Sequence, residues 1–176
     1  MSNGRSIARF PIEAPREVWS SDVDPFACAA FAPTGKAAPC DGGYIPNGRW
    51  SFASGCRHST WMGAHATVVE PDGSVQRNRL GRPAVKTWLF PTEQAKRLDT
   101  WNPIGLRGTA SDSYELDDRV VDEAHTSTRE DPEARRERGR LYAFPQQTLY
   151  SVGIASVALG IARGTREAVL GLAKEK

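Results

Sequence analysis

Residues 32–61 of the chain are APTGKAAPCDGGYIPNGRWSFASGCRHSTW, and this stretch decides the fold class. Its short apolar or alternating runs are interrupted by Gly, Pro, Asn and Asp, which is typical of antiparallel strands and their turns. Asp41-Gly42-Gly43 and Asn47-Gly48 provide residues that tolerate a positive φ, so a turn is predicted at each. The stretch therefore predicts β-structure.

The same pattern extends over residues 27–121, where Pro71-Asp72-Gly73 predicts a further turn. Residues that favour strands, namely Trp, Tyr, Val and Thr, are concentrated in five segments. The predicted strands are 44–53, 61–69, 85–91, 96–101 and 113–121. Several such strands in one region favour a mainly β fold, a small antiparallel β-barrel or sandwich over residues 26–122.

The flanks of the β region have a different composition. Residues 1–25 contain three prolines among mixed charges, which predicts a leader with one helical turn at 17–20. Residues 123–144 include EDPEARRERGR, which is dense in alternating charge and has no apolar stripe, so a solvated linker is predicted. Over 145–176 apolar residues recur at spacings of three and four, which predicts one long helix.

The predicted helix is apolar over more than one face. Ile154, Val157 and Leu170 lie off the stripe that includes Leu149 and Val152. A helix that is apolar nearly all round requires burial on several sides, and one small β domain covers a single face. We therefore expect partner helices from another chain or from further sequence, with 145–176 as the first helix of an incomplete bundle.

Composition and charge exclude several functional classes. With 176 residues, 39% of them hydrophobic and 25% charged, the chain is predicted to fold either as one domain or as one domain plus part of a second. The formal net charge of +2 does not favour a nucleic-acid or membrane-surface partner. No run of about 18 apolar residues is present. A cytoplasmic location is therefore expected.

The familiar catalytic and metal-binding signatures are absent from the sequence. There is no nucleotide-binding glycine fingerprint, phosphate-binding Gly-Lys-Ser loop or paired-Cys zinc motif. The three cysteines are odd in number and widely spaced, so no disulfide framework is predicted. Cys56, His58 and His65 lack the paired spacing of a zinc site, so no metal is predicted. The two histidines are interpreted as polar residues on a strand's solvent face or as half-buried imidazoles with hydrogen-bond partners.

A second block, DTWNPIGLRGTASDSYELDDRVV at residues 99–121, narrows the resemblance to one protein family. The sequence resembles the middle domain of acyl-CoA dehydrogenase-like flavoproteins in four features. They are a glycine turn, a strand GRWSFASG, a Trp-containing strand, and W-x-x-x-G-L-R-G-T-x-S before an acidic strand. The most similar branch is the two-component, group D, flavin-dependent monooxygenases. Members of that branch hydroxylate aromatic or polycyclic substrates with reduced flavin and oxygen. The resemblance extends from Phe26 to the C-terminus.

The resemblance implies a flavin cofactor, either FMN or FAD, reduced by a separate reductase. It also implies a small aromatic substrate, and a homo-oligomer or further helical domains that complete the site. The residues that it places against the flavin are Ala30, Phe31, Gly35, Trp50, Phe52, Ala53 and Ser54.

Ser54 is the predicted catalytic residue. In the family the strand that matches residues 49–55 lies beside the isoalloxazine, and the hydroxyl that matches Ser54 bonds near its reactive N5. A hydroxyl both donates and accepts hydrogen bonds, so it can adapt as N5 changes protonation. The alternative is a strand-end serine bonded to a neighbouring backbone group.

Two aromatic residues precede Ser54. Alternation on a strand places Trp50 and Phe52 on one face and small residues on the other, where a flat ring can approach. The alternative is that both pack in the core, which is the preferred interpretation for Phe52. In the second block Arg107 and Thr109 could reach a phosphate, but a structural turn set by its glycines, with Arg107 in an ion pair, is favoured.

Three functions remain open on the sequence alone. The chain is interpreted as the flavin-binding part of a monooxygenase, inactive by itself because the domains that enclose the flavin in relatives are incomplete. A fragment of an acyl-CoA dehydrogenase is the second possibility, and a non-catalytic assembly module with an exposed helix is the third. GRWSFASG and the Gly-Leu-Arg-Gly-Thr block favour the first over the second.

Overall fold

A computed structural model of the protein describes residues 9–20, 27–30, 32–128, 136 and 138–174. The chain divides into two compact units at residues 136 and 137, and each is considered separately. The first unit consists mainly of strands, and the second contains one long helix. This composition confirms the predicted fold class of a mainly β domain followed by a C-terminal helix.

The first unit begins with a short helix, α1 (Glu13–Val18), and continues with a nine-stranded sheet. The strands are β1 (Ala27–Ala29), β2 (Gly35–Cys40), β3 (Gly43–Trp50), β4 (Trp61–Val68), β5 (Val85–Pro91), β6 (Lys96–Leu98), β7 (Ser113–Leu116), β8 (Val121–Asp122) and β9 (Thr126–Thr128). Their order is β6-β7-β3-β2-β4-β5-β9, with β1 paired to β4 and β8 to β3.

The sheet is mixed, which corrects the purely antiparallel prediction. β4 pairs in parallel with β1 and with β2, whereas the other pairings are antiparallel. β3 and β4 each pair with three strands, because different parts of one long strand meet different neighbours. The two central strands therefore bring distant parts of the sequence around one core.

The core is built around stacked aromatic residues. Trp50 at the end of β3 stacks on Tyr114 of β7, with ring centroids 5.4 Å apart. Both polar groups are satisfied, since Trp50 Nε1 donates to the carbonyl of His65 at 2.7 Å and the Tyr114 hydroxyl donates to that of Gly63 at 2.6 Å. Buried Trp and Tyr require such partners. β3 and β7 are consequently tied to β4 through the interior.

Two of the three predicted turns are confirmed. Gly42 follows β2 with a φ of 77°, and Gly73 lies in the turn after β4 with a φ of 83°. The turn predicted at Asn47-Gly48 is wrong, because both residues lie inside β3. A Cβ on Gly48 would lie 2.7 Å from the Cα of Gly35. This dipeptide therefore allows two strands to approach closely and does not reverse the chain.

The strand boundaries also differ from the predictions. β3 ends at Trp50, three residues before the predicted end, and the segment predicted at 113–121 is two strands, β7 and β8. β1, β2 and β9 were not predicted. β2 has the sequence GKAAPC, whose small residues and proline are poor strand formers. Its pairing with β3 and β4 outweighs that local preference.

The segment predicted to be a leader belongs in part to the folded unit. Phe10, Ala14 and Val18 are buried and form a second apolar cluster with Leu89. The helical turn predicted at 17–20 therefore lies earlier and is longer, at Glu13–Val18. The spacing of four between Ala14 and Val18 places both on one side of the helix, and Phe10 precedes it.

The linker predicted at 123–144 begins too early. β9 (Thr126–Thr128) pairs with β5, and the short 3₁₀ turn Glu123–His125 leads into it. The sheet therefore continues to Thr128. Much of the charged EDPEARRERGR stretch lies outside the described residues.

The second unit contains the predicted helix, α2 (Gln146–Lys174), with 29 residues. Eight large apolar side chains of this helix are exposed, namely Val152, Ile154, Val157, Leu159, Ile161, Val169, Leu170 and Leu172. Among the described residues, no helix combines the length and the apolar character that crossing a bilayer requires.

The substitution Gly35→Ala tests the close contact beneath Trp50. An added Cβ would lie 2.2 Å from Cζ2 of the buried indole and 2.9 Å from the carbonyl oxygen of Asn47. We expect a loss of about 2 kcal/mol in the free energy of unfolding, measured by urea denaturation, because neither neighbour can move freely. Gly105→Ala is the control, since no atom lies within 4 Å of its Cβ. Equal effects of the two substitutions would contradict the packing described.

Candidate functional site

The two sequence blocks singled out above meet at one place. After β3 the chain forms a loop, residues 51–59, which lies against the segment that leads into β7. Ala53 donates its backbone N–H to the Asp112 carbonyl at 3.1 Å, and Gly55 donates to the Thr109 carbonyl at 2.8 Å. The tertiary structure thus joins the GRWSFASG and GLRGTAS motifs through their backbones.

A buried carboxylate holds the two segments together. The Asp112 side chain is fully buried, and the guanidinium of Arg57 donates to it from Nε at 2.7 Å and from Nη2 at 3.1 Å. A paired contact of this kind fixes both distance and orientation. Nη2 of Arg57 also reaches the exposed Asp99 at 2.7 Å.

Asp112 accepts three further hydrogen bonds from nitrogen, besides a 4.0 Å contact from the Cys56 thiol. They come from Arg97 Nη1 at 3.2 Å and from the backbone N–H groups of Thr100 and Trp101 at 3.1 and 2.9 Å. The hydrogen bond from Arg57 is the largest cause that holds the pKa of the Asp112 carboxyl well below its usual range, and it outweighs the opposing effect of burial. The carboxylate stays charged and fully bonded at neutral pH.

Beside this ion pair lies a chain of hydroxyl groups. Ser54 Oγ is 2.8 Å from Ser111 Oγ, and Ser111 Oγ is 2.8 Å from Thr109 Oγ1. The Thr109 hydroxyl donates to the carbonyl of Leu106 at 2.9 Å. Ser54 is exposed, whereas Ser111 is buried. Ser54 is thus bonded to a side chain and not to a neighbouring backbone group, which was the alternative.

The backbone around the hydroxyl chain is strained. Phe52, Leu106 and Ala110 have φ values of 63°, 57° and 46°, in the left-handed region that L side chains seldom occupy. Such residues cost free energy and cluster at functional sites, where surrounding contacts hold them in place. Three of the four non-glycine residues with positive φ among the described residues lie here.

An exposed apolar surface adjoins the hydroxyl of Ser54. The side chain of Phe52 is 70% exposed and lies edge-on to Trp101, with ring centroids 6.1 Å apart. Trp101 Nε1 donates to the carbonyl of Leu106, whose own side chain is 78% exposed. Ile104 in the same loop is fully exposed. We name Phe52, Trp101, Ile104 and Leu106 the apolar patch.

The structure separates the predicted cofactor residues into two groups. Phe52 and Ser54 are exposed, whereas the side chains of Ala30, Trp50 and Ala53 are buried. The alternation argument that placed Trp50 and Phe52 on one face is wrong, because the positive φ of Phe52 reverses the direction of its side chain. The interpretation that Phe52 packs in the core is wrong for the same reason.

Trp50 requires a correction of its predicted role. Its indole is fully buried against Tyr114, so its side chain offers no surface to a cofactor. Gly35 lies directly against this indole, which accounts for its lack of a side chain. Phe31 lies outside the described residues. Ser54 as the catalytic residue remains a prediction, which the exposure of this residue supports.

The turn in the second block differs from its prediction. Gly105 and Gly108 do not set it, because the positive φ values belong to Leu106 and Ala110. Arg107 Nε donates to the carbonyl of Pro103 at 3.1 Å, and within the described part of the chain Arg107 is in no ion pair. Thr109, rather than Arg107, connects this turn to Ser54.

The Cys and His residues near the site have structural contacts. The thiol of Cys56 is buried and donates to the carbonyl of Ala110 at 3.3 Å, and burial raises its pKa. The ring of His65 is buried and bonds to the Thr87 hydroxyl through Nδ1 at 2.8 Å. Among the described residues, no three His, Cys, Asp or Glu side chains are grouped for a metal ion.

Sequence reasoning missed the residues that organise the site. Arg57, Asp112 and Ser111 received no role, although each lies in or beside a motif that the resemblance used. One signal was present: Asp112 directly precedes β7 and continues the alternation of the apolar residues Tyr114 and Leu116. A charged residue at such a position needs a buried partner. The sequence does not show which arginine provides it.

Comparison with known proteins adds independent information at this point. No protein-family model matches the chain. The oxygenase component of an FADH(2)-dependent resorcinol hydroxylase from Rhizobium sp. (strain MTP-10005) is 34% identical over 90% of this chain and 39% of its own length. The oxygenase subunit HsaA of a flavin-dependent monooxygenase from Rhodococcus jostii (strain RHA1) is 31% identical over 92% of this chain and 42% of its own length.

This chain is a homologue of part of the flavin-dependent monooxygenase oxygenase subunits. Solved structures agree. A 3-HSA hydroxylase from Rhodococcus sp. RHA1 matches 81% of this chain and 36% of its own with a TM-score of 0.67 and 29% identity. XiaF from Streptomyces sp., solved in complex with FADH2 and glycerol, matches 78% of this chain and 32% of its own with a TM-score of 0.65 and 28% identity.

These matches confirm the resemblance drawn from the two sequence blocks. The chain spans about two fifths of the length of the curated relatives, 39% and 42% in the two cases above. The shared part includes the β unit that contains the Asp112 ion pair and the hydroxyl chain.

The substitution Asp112→Asn tests the buried carboxylate. Removing its charge leaves Arg57 and Arg97 without their buried partner, so we expect a loss of roughly 3 kcal/mol in the free energy of unfolding at neutral pH. The control is Asp99→Asn, which touches the same arginine from an 86% exposed position. It is expected to cost less than about 1 kcal/mol. Equal losses would show that Asp112 is not the anchor.

The effect of Asp112→Asn depends on pH in a definite direction. The folded-state pKa of Asp112 is depressed, so its stabilisation is complete above the unfolded-state pKa of about 3.9. It is lost as pH falls from that value through the folded-state pKa. The difference in unfolding free energy between the parent and the variant should therefore shrink below about pH 4. A constant difference from pH 7 to pH 2.5 would contradict this assignment.

Proposed function

We propose that this chain provides the flavin-binding β domain of a flavin-dependent monooxygenase that hydroxylates a small aromatic substrate with reduced flavin and O2. The observation that supports the proposal most directly is the exposed Ser54 hydroxyl beside the apolar patch. It stands at the position that the resemblance assigned to the flavin, and the chain's relatives are named as flavin-dependent oxygenase components.

The described residues fit a flavin in chemical character. An isoalloxazine is a flat, largely apolar ring system with a polar edge, so it requires an apolar surface next to a hydrogen-bonding group. Phe52 and Trp101 provide aromatic surface, and Ser54 provides the hydroxyl at its border. No carboxylate bonds to the hydroxyl chain among the described contacts, and the nearby Asp112 carboxylate is paired with Arg57 and Arg97.

When bound, reduced flavin supplies the electrons with which O2 delivers one oxygen atom to the substrate and loses the other as water. The residues of this chain orient the ring system. Ser54 would hydrogen-bond to its polar edge, and Phe52 would provide aromatic surface for it. The Asp112 ion pair keeps the strained loop in the arrangement that presents both side chains.

Enclosure of the site requires a second surface. Phe52, Ile104 and Leu106 are exposed, and oxygen chemistry on a flavin is productive only when water is excluded. The exposed apolar residues of α2 support an assembly in which helices of another subunit or of further sequence provide the cover. A separate reductase that supplies reduced flavin, and a cytoplasmic location where it operates, complete the proposal.

Flavin binding by the chain tests the proposal. Reduced and oxidised FMN and FAD are titrated separately under anaerobic conditions, with flavin absorbance and fluorescence as the signals. We expect Ser54→Ala to raise the Kd of the reduced form about tenfold, which corresponds to the loss of one hydrogen bond. The comparison of FMN with FAD identifies the preferred flavin.

Ser74→Ala is the matched control for this titration. Ser74 lies in an exposed turn after β4, remote in sequence from both site blocks, and the substitution should leave the Kd unchanged. Absence of binding for all four flavin forms would contradict the proposal for this chain. An equal change for Ser54→Ala and Ser74→Ala would remove Ser54 from the site.

Helix α2 supports a second role, in assembly. Ile154 and Ile161 are 73% and 66% exposed and lie seven residues apart, so they occupy the same side of the helix. Apolar side chains on several faces favour helix partners over exposure to solvent. We propose that α2 associates with helices of a second copy.

The double substitution Ile154→Gln with Ile161→Gln tests this role. It should lower the molar mass measured by light scattering after gel filtration, because glutamine at the helix interface must be desolvated. Arg166→Gln, a change to the same residue type at an exposed charged position, is the control and should not alter the mass. A monomeric parent chain, or an unchanged mass in the double variant, would contradict assembly through this face.

A further inference from the structure

The hydroxyl chain beneath Ser54 is a continuous series of hydrogen bonds. It consists of three oxygen-to-oxygen links in series, Ser54 to Ser111, Ser111 to Thr109, and Thr109 to the Leu106 carbonyl. Their lengths are 2.8, 2.8 and 2.9 Å. Oxygens at such distances require a hydrogen atom between them, since two lone pairs in contact repel.

The number of hydrogens determines the direction of every link. Three links need three hydrogens, and the three hydroxyl groups have one each, while the Leu106 carbonyl has none. Thr109 must therefore donate to Leu106. It then has only lone pairs for Ser111, so Ser111 donates to Thr109. By the same reasoning Ser54 donates to Ser111.

We propose that Thr109 and Ser111 are positioning residues that orient the Ser54 hydroxyl hydrogen inward, so that Ser54 presents only acceptor lone pairs to a bound ligand. The inference rests on the proposed function in naming the ligand as a flavin. The inward direction of the hydrogens rests only on the distances and on the donor count.

Burial keeps the direction in place. Ser111 is 5% exposed, so water does not compete readily for its hydroxyl. Thr109 is held by two bonds to the same carbonyl, from its backbone N–H at 3.1 Å and from its side chain. Reversing the donor direction of every hydrogen bond in the hydroxyl chain would leave the Thr109 oxygen facing the Leu106 oxygen without a hydrogen between them. In a partly buried site that arrangement is unfavourable.

A preset acceptor distinguishes two redox states of a flavin. Reduced flavin has a hydrogen on N5 and donates it, whereas N5 of oxidised flavin has only a lone pair and accepts. Ser54 as an acceptor matches the reduced form and opposes the oxidised form with a lone-pair contact. Thr109 and Ser111 therefore determine the preference of this site for reduced over oxidised flavin, although neither is required to touch the flavin.

The ratio of the Kd for oxidised flavin to the Kd for reduced flavin tests the inference without reference to turnover. Thr109→Val removes the hydroxyl with little change in shape. Ser111 is then free to donate to Ser54, and the Ser54 hydrogen can turn toward the ligand. We expect the ratio to fall about tenfold, mainly through tighter binding of oxidised flavin. Ser111→Ala should lower the ratio in the same direction.

Thr109→Ser is the conservative control, because it retains the donor to Leu106 and should preserve the ratio. A ratio that is the same in the parent, in Thr109→Val and in Ser111→Ala would overturn the inference. A rise in the ratio for Thr109→Val would also overturn it, since that result requires hydrogen bonds donated in the opposite direction along the hydroxyl chain.

A measurement without flavin separates this inference from the proposed function. Neutron diffraction of the ligand-free chain locates hydroxyl hydrogens directly, and we expect the hydrogen of Ser54 on the line to Ser111 and that of Thr109 on the line to Leu106. Such a result together with no flavin binding would overturn the proposed function and leave the hydroxyl direction intact. A Ser54 hydrogen pointing to solvent would overturn the inference even if flavin binds.

Discussion

The buried carboxylate of Asp112 is the constraint on which the site depends. It accepts hydrogen bonds from Arg57 in the loop after β3, from Arg97 in β6, and from two backbone N–H groups in the segment that leads into β7. A buried charge is tolerated only when it is paired and bonded in this way. The loop after β3 and the turn before β7 are consequently held in one arrangement, because moving either segment would leave the carboxylate unsatisfied.

That constraint makes the strained backbone possible. Phe52, Leu106 and Ala110 occupy left-handed conformations that each cost free energy, and they lie next to the segments that Asp112 holds. The strain has a geometrical result. Phe52 points outward beside Trp101, while Trp50, only two residues earlier, is buried in the core. Trp50 at the end of β3 therefore stabilises the core, and Phe52 in the following loop contributes to the surface of the site.

The hydroxyl chain determines the direction in which Ser54 donates its hydrogen bond. Sheet pairing and the ion pair place three hydroxyl groups in series, and a carbonyl at the far end accepts the last hydrogen. A serine that in isolation both donates and accepts becomes an acceptor toward solvent. In the proposed function, the β unit therefore provides the surface and the polarity that would suit a reduced flavin. The chain spans about two fifths of the length of the flavin-dependent oxygenase subunits that it matches.

The sequence by itself determined the β region, five of its strands, two of its turns, the long helix α2 and the two blocks that form the site. Those features depend on local preference and periodicity, which residues near each other in the sequence express. Tertiary structure alone decided the parallel pairing of β1 and β2 with β4, the exclusion of Trp50 from the site and the pairing of Arg57 with Asp112. The direction of the Ser54 hydroxyl belongs to the same group, because it follows from contacts between residues more than fifty positions apart in the chain. No local pattern contains that information, since a hydrogen bond depends on distance in space and not on spacing in sequence.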